Sequence, residues 1–205
     1  MSWYTEHVLP HIVEFTCGGA SMIPIRRPVM EGLRGTVLEI GFGSGTNVGL
    51  YPPEVERVLA VEPSMRAREM ARRRIETHPH PPVEFVGLDG ESLPVEAERI
   101  DAVVSTFTLC TIPDVVAAMR EIVRVLRPGG RLHFLEHGRS LDPKVLARQR
   151  RFEPIQRRIG GGCHLTRDPS ELAVAAGLEL ADLHRFVLRG PKVLTTMSSG
   201  RAQKP

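Results

Sequence analysis

Residues 36–136 predict a doubly wound α/β domain on a parallel sheet. Three observations carry that expectation. Apolar, strand-like runs alternate with helix-period patterns along the segment; the first run enters a loop with glycines at 41, 43 and 45; and the second run ends on an acid, Glu62. Alternation of this kind builds parallel sheets covered on both faces.

In chain order, residues 1–30 come first. Tyr4, Val8, Ile12 and Phe15 are spaced for one short amphipathic helix despite Pro10, ended by Cys17-Gly18-Gly19. Such a segment either caps a nearby site or packs on the sheet edge. Thr36-Val37-Leu38-Glu39-Ile40 reads as the first strand, and its glycine loop runs on to Asn47. Glycines permit positive φ and close backbone approach, so the chain can turn sharply beneath a ligand. A short helix is expected before Pro52-Pro53, then the second strand, Arg57 to Glu62. Glu62 follows the loop by about 20 residues, the spacing at which a second-strand carboxylate meets a ribose. An ordinary strand-to-helix turn is the plainer reading. A dinucleotide loop would want Gly or Ala where Thr46 stands, so a nicotinamide enzyme is the weaker reading.

Glu62-Pro63-Ser64 opens a helix from Met65 to about Ile75. His78 and His80 share a proline-punctuated loop, where two ligands without a third read as exposed side chains. Val83–Gly87 is the third strand, and Asp89-Gly90 follows at the carboxyl edge, where open α/β sheets place ligands. Asp89 as a turn cap is the alternative. Arg99–Thr106 is a near-continuous apolar fourth strand. Asp114 caps a helix striped by Val115, Met119, Ile122, Val123 and Leu126. Arg127-Pro128-Gly129-Gly130 ends that helix and launches a fifth strand, Arg131–Glu136. Residues 138–168 form an insertion: a helix from Asp142 to Ile159 with Val145, Phe152, Ile155 and Ile159 on one stripe, kinked at Pro154. Gly160-Gly161-Gly162 then acts as hinge or plain loop. Residues 180–198 hold two more strands, split at Gly190-Pro191 and antiparallel if directly linked. The polar stretch from Gly200 is expected to fray.

Composition narrows the function. The 205 residues suit one domain, 1–205, with a sizeable core. The net charge of +3 is modest, and the pI near 9.0 comes from arginine, since only Lys144, Lys192 and Lys204 are lysines. Arginine runs at 72–74, 150–151 and 157–158 read as solvated helix faces, with an acidic partner as the alternative. With aromatics at 5%, no stacking platform for nucleic acid is expected. Cys17, Cys110 and Cys163 form no C-x-x-C pair, which implies a reducing compartment, no zinc or other metal site, and packing roles for Cys110 and Cys163. No signal-type start and no 18-residue apolar run occur, so a cytoplasmic protein without stable membrane insertion is expected. Monomer and homodimer both stay open.

Glu39-x-Gly41-x-Gly43-x-Gly45 resembles motif I of the class I S-adenosylmethionine (SAM) methyltransferases; the Leu126-Arg127-Pro128-Gly129-Gly130 turn and Asp89-Gly90 are similar to further motifs of that family. The resemblance implies a Rossmann-like, mostly parallel seven-stranded sheet with an antiparallel last strand, and SAM as cofactor with S-adenosylhomocysteine as product. It places the cofactor on Glu39, Gly41, Gly43, Gly45, Asn47, Glu62, Pro63, Asp89, Gly90 and Thr106. Three less generic stretches, Val103–Ile112, Phe134–His137 and Gly161–Asp168, resemble the thiol methyltransferases of the animal methyltransferase-like group and their bacterial relatives, often classed as type 11. His164 stands where the animal proteins have Asn, and Gly138-Arg139 follow the fifth strand, so the acceptor stays open. The resemblance implies a small acceptor, a thiol or hydrogen sulfide, walled by residues 1–30 and 138–168. Alternatives are O- or C-methylation of a phenol or quinone, N-methylation of a lipid headgroup, or SAM binding without chemistry.

Ionising a thiol of pKa about 8.5 at pH 7 costs ~2 kcal/mol. A hydroxyl near 15.7 would cost ~12 kcal/mol and so need a strong base or metal. The candidate bases are His137 and His164, each with a structural role as the alternative.

Overall fold

The computed structural model describes residues 3–205; residues 1 and 2 of the expected N-terminal cap lie outside them. Seven strands form one sheet: β1 (Gly35–Ile40), β2 (Val55–Val61), β3 (Val83–Gly87), β4 (Ile100–Thr106), β5 (Leu126–His137), β6 (Glu179–Val187) and β7 (Thr196–Gln203). Their spatial order is β3-β2-β1-β4-β5-β7-β6. The first five strands pair in parallel, and β7 runs antiparallel to both β5 and β6. This is the doubly wound, Rossmann-like class expected.

The central strands read as unbroken apolar runs because both of their faces are covered. Leu38, Ile40, Val103, Leu132 and Phe134 pack on Met119 and Ile122 of α5 (Val115–Val125) and on Ala173 of α7 (Pro169–Ala175). On the other face, Val37, Val104 and Leu135 meet Val29 and Met30 of α3 (Ile23–Met30) and Ala71 of α4 (Met65–Thr77). Asp114 caps α5 by accepting the Ala117 amide, and Ser64 caps α4 by accepting that of Ala67.

Several local expectations need correction. The N-terminal stripe is not one helix: α1 (Trp3–His7) and α2 (Leu9–Cys17) are separate, followed by a 3-10 turn and α3. Pro10 sits in the first turn of α2, where its missing donor suits a new helix start. Phe15 is 88% exposed, so the stripe does not hold. No helix forms before Pro52; residues 43–50 are successive turns, with Gly43, Gly45 and Gly49 all at positive φ. The strand β5 begins at Leu126, which already pairs with Ile100, and Gly129 bonds across to Lys204. In α6 (Pro143–Ile159) the inner face is Val145 and the buried Gln149, while Ile155 and Ile159 are each 53% exposed. Gln149 is accommodated by accepting the Ser140 amide and donating to the Gly138 carbonyl.

The polar stretch at the end does not fray. It is β7, held by backbone bonds on both sides, with Gly200 so close to the Phe134 ring that an added Cβ would lie 2.8 Å from it. Small residues are what the crowding admits there, and they read as a polar tail. Among the described residues no helix is long and apolar enough to cross a membrane.

Candidate active site

The carboxyl ends of β1, β2 and β4 open on one cavity of about 770 Å³. Its floor is the glycine loop. Gly41 has φ +72°, and a Cβ there would fall 2.0 Å from Thr108 Oγ1, so only glycine lets the loop and the turn after β4 touch. Gly43, φ +58°, is different: an added Cβ would meet nothing nearer than 3.9 Å and would project into open space. The Gly43 amide donates to Glu62 Oε2 (2.7 Å) and the Ser64 amide to Oε1 (2.8 Å). Burial raises the Glu62 pKa, against the lowering effect of those two amides. Pro63, Leu88, Asp89, Gly90 and Thr106 complete the floor and side walls. Asp89 also accepts the Glu91 amide, so it is a turn cap and a wall residue at once.

Three of the residues expected at the cofactor do not line this cavity. Glu39, Gly45 and Asn47 stand behind it. Asn47 donates to Glu39 Oε1 (2.8 Å) and to Thr106 Oγ1 (3.1 Å), and Tyr51 donates to Glu39 Oε2. Burial lifts the Glu39 pKa to about 7, against these bonds and the charge of Arg26. They fix the loop from below.

Sequence reasoning missed Arg26. It is buried, lies on the cavity wall, and donates to Asn47 Oδ1 (2.8 Å), Thr106 Oγ1 (3.0 Å) and the Cys17 carbonyl (2.8 Å). Its guanidinium is 5.0 Å from the Phe107 ring centroid. Arg26 Nε is buried with no partner among the described residues. The only sequence signal was a charged pair inside the otherwise apolar helix Ile23–Met30.

The roof comes from both ends of the fold. Leu9, Val13 and Cys17 of α2 face down on the loop, and Gly160 and Gly161 meet them from the insertion. Tyr4 donates to the Ile159 carbonyl (2.7 Å), joining the two covers. Glu14 holds α2 to the floor: it accepts from Ser44 Oγ and pairs with Arg74 at 2.5 Å.

These residues fit SAM. The carboxylate at the end of β2 suits a ribose, the bare Gly43 leaves room above the loop, and the buried, partly unsatisfied Arg26 suits the cofactor's own carboxylate.

Neither candidate base lines the cavity. His164 pairs with Glu153 at 3.4 Å and borders a smaller arginine-lined cleft; burial and Arg167 lower its pKa. His137 lies behind Phe107, the two rings edge to face at 5.6 Å. Its Nδ1 is 3.7 Å from Cys163 Sγ and 3.9 Å from Cys110 Sγ. Burial opposes charge on this imidazole, but Cys163, Glu136 and the Leu194 backbone together raise the pKa. The bond from Cys110 and the one to His137 pull the Cys163 thiol well below its ordinary range. The fold thus assembles two cysteines and a histidine that sequence spacing kept apart.

The family described as Methyltransferase domain matches residues 38–134. Thiol S-methyltransferase TMT1B of Rattus norvegicus is 36% identical over 65% of this chain and 55% of its own; TMT1A of Homo sapiens is 33% identical over the same shares. The chain therefore spans about half the length of these curated relatives. Phosphatidylethanolamine N-methyltransferase of Cereibacter sphaeroides is 31% identical over 62% of this chain and 63% of its own. Among solved structures, a methyltransferase of Bacillus halodurans C-125 superposes with a TM-score of 0.73 at 20% identity, covering 88% of this chain and 98% of that one. The [4+2]-cyclase SpnF superposes at 0.69 and 19%, covering 89% and 80%. At such identities these structures speak for the fold alone.

Proposed function

We propose that the chain carries a class I SAM-dependent methyltransferase domain, a reading its match to the methyltransferase family model supports, and that it transfers the cofactor's methyl group to a small thiol or to hydrosulfide. The observation that carries this reading is the continuous cavity, with a polar floor suited to a nucleoside and an apolar roof of Leu9 and Val13 beside Phe107. When bound, SAM supplies a methyl group already activated by a sulfonium. The chain's residues have then to hold, align and exclude water. Glu62 would take the ribose hydroxyls and Arg26 the carboxylate end, while α2 and the turn at Gly160-Gly161 close the space above. No histidine is among the described lining residues. That suits an acceptor which ionises at a cost of ~2 kcal/mol and gives its proton to water. The thiol-acting relatives support the same chemistry.

The similarity to an aminolipid N-methyltransferase favours a second reading, an amine acceptor. A panel of thiols, phenols, quinones and amines with labelled SAM, read by product mass, separates the two. S-methyl products are expected, and label appearing only on nitrogen, oxygen or carbon would overturn the proposal. The three free cysteines suit a reducing compartment, and on that ground we place the protein in the cytoplasm.

A further inference from the structure

We propose that Cys110, His137 and Cys163 bind a thiophilic divalent cation of the zinc type, outside the cofactor cavity. Their three ligand atoms all lie within 4.8 Å of one another. A tetrahedral zinc with Zn–S about 2.3 Å and Zn–N about 2.0–2.1 Å would set S and N about 3.6 Å apart. The observed 3.7 and 3.9 Å separations need only a small inward movement to meet that.

Each ligand is also fixed by its own surroundings, as a preformed site requires. Cys110 is on the turn after β4, whose amides at Thr108, Leu109 and Cys110 all donate to the buried carboxylate of Glu136 (3.0, 3.0 and 3.3 Å). The His164 amide donates to the Cys110 carbonyl (2.8 Å), tying that turn to the stretch bearing Cys163. His137 ends β5, in register with Met197 of β7. Cys163 follows Gly161 and Gly162, both at positive φ, which turn the chain back on the sheet.

The chemistry of the set selects its occupant. Two sulfurs and one imidazole disfavour calcium and magnesium and suit zinc, leaving one coordination position open. Two thiolates and a divalent cation cancel, so the loaded cluster is neutral in a place that would penalise net charge. The ligands come from β4's turn, the end of β5 and the link after α6. The cation would therefore staple the insertion to the sheet edge, with Phe107 between it and the cavity.

The test is metal content of the full chain, purified under reductant and dialysed against zinc. One zinc per chain is expected. Loss of that zinc is expected in Cys110→Ser, Cys163→Ser and His137→Ala, and its retention in Cys17→Ser. Should the variants fail to fold, cobalt added to the unaltered protein must produce a thiolate-to-metal absorption band. Chelation should also speed protease cleavage within residues 138–168. No zinc above that of the Cys110→Ser/Cys163→Ser double variant, or cobalt uptake without the thiolate band, overturns the proposal. A Cys110–Cys163 disulfide that reduction and zinc do not convert to a loaded site overturns it equally.

Discussion

On the floor of the cavity, Gly41, Gly43 and Glu62 are set at the ends of buried parallel strands. Over them, Leu9 and Val13 ride on a short helix with no fully buried residue, beside Trp3 at 72% and Phe15 at 88% exposure. The floor is fixed by the same sheet that makes the core. The roof is held by a few side-chain bonds, Tyr4 to Ile159 and Glu14 to Ser44 and Arg74. The activity proposed for the chain needs a cofactor seat that does not move and a cover that admits an acceptor, and the two halves differ accordingly.

Four substitutions would break or sharpen that contrast. Gly43→Val should give the largest effect: its side chain enters the cofactor space, so calorimetry should show at least a hundredfold loss of S-adenosylhomocysteine affinity, about 2.7 kcal/mol or more. Its fold should lose only the ~1–2 kcal/mol of a left-handed non-glycine residue. Affinity within threefold of the unaltered protein would detach the loop from the cofactor. Glu62→Gln turns an amide donor toward the Gly43 or Ser64 amide; we expect affinity to fall about tenfold, or ~1.4 kcal/mol.

Glu39→Gln tests the floor's support through pH. Burial raises the native pKa of Glu39 to about 7 from an ordinary 4.5. A raised carboxylate pKa means the native state binds the proton more tightly than the unfolded chain. Its stabilising contribution is full below about pH 4.5 and is lost as pH rises through about 7. Glu39→Gln should flatten that decline, which amounts to at most ~1.4 kcal/mol per pH unit in denaturant titrations. An unchanged slope would mean the carboxylate is not desolvated. Tyr4→Phe should be mildest, costing about 0.5–1 kcal/mol and acting on the roof alone. Faster proteolysis of residues 3–17 with unchanged cofactor affinity is the expected pair of results; a matching loss of affinity would join roof and floor into one unit.

The same contrast decides what could be read from the sequence. The strand leading into Gly41, the acid Glu62 after the second strand and the cap Asp114 are local patterns, and each sits where its neighbours in sequence place it. Arg26 carries no pattern, because its partners Asn47 and Thr106 come from two other elements. Cys110, His137 and Cys163 meet only because Glu136 gathers the turn after β4 and the glycines at 161 and 162 reverse the chain. The division of the N-terminal segment at Pro10 hung on one residue, and its apolar spacing pointed the wrong way. The C-terminal strand was hidden because crowding on Phe134 selects small residues that imitate a solvated tail.

That strand has a consequence for how the molecule is made. β6 leaves the ribosome before β7, yet its only neighbour in the sheet is β7, which must first slot beside β5. Until Thr196–Gln203 has been synthesised, two open backbone edges wait with nothing to pair with, the condition in which chains join one another instead. A version stopped before Thr196 should therefore collect in aggregates, although every residue of the cavity wall would still be present.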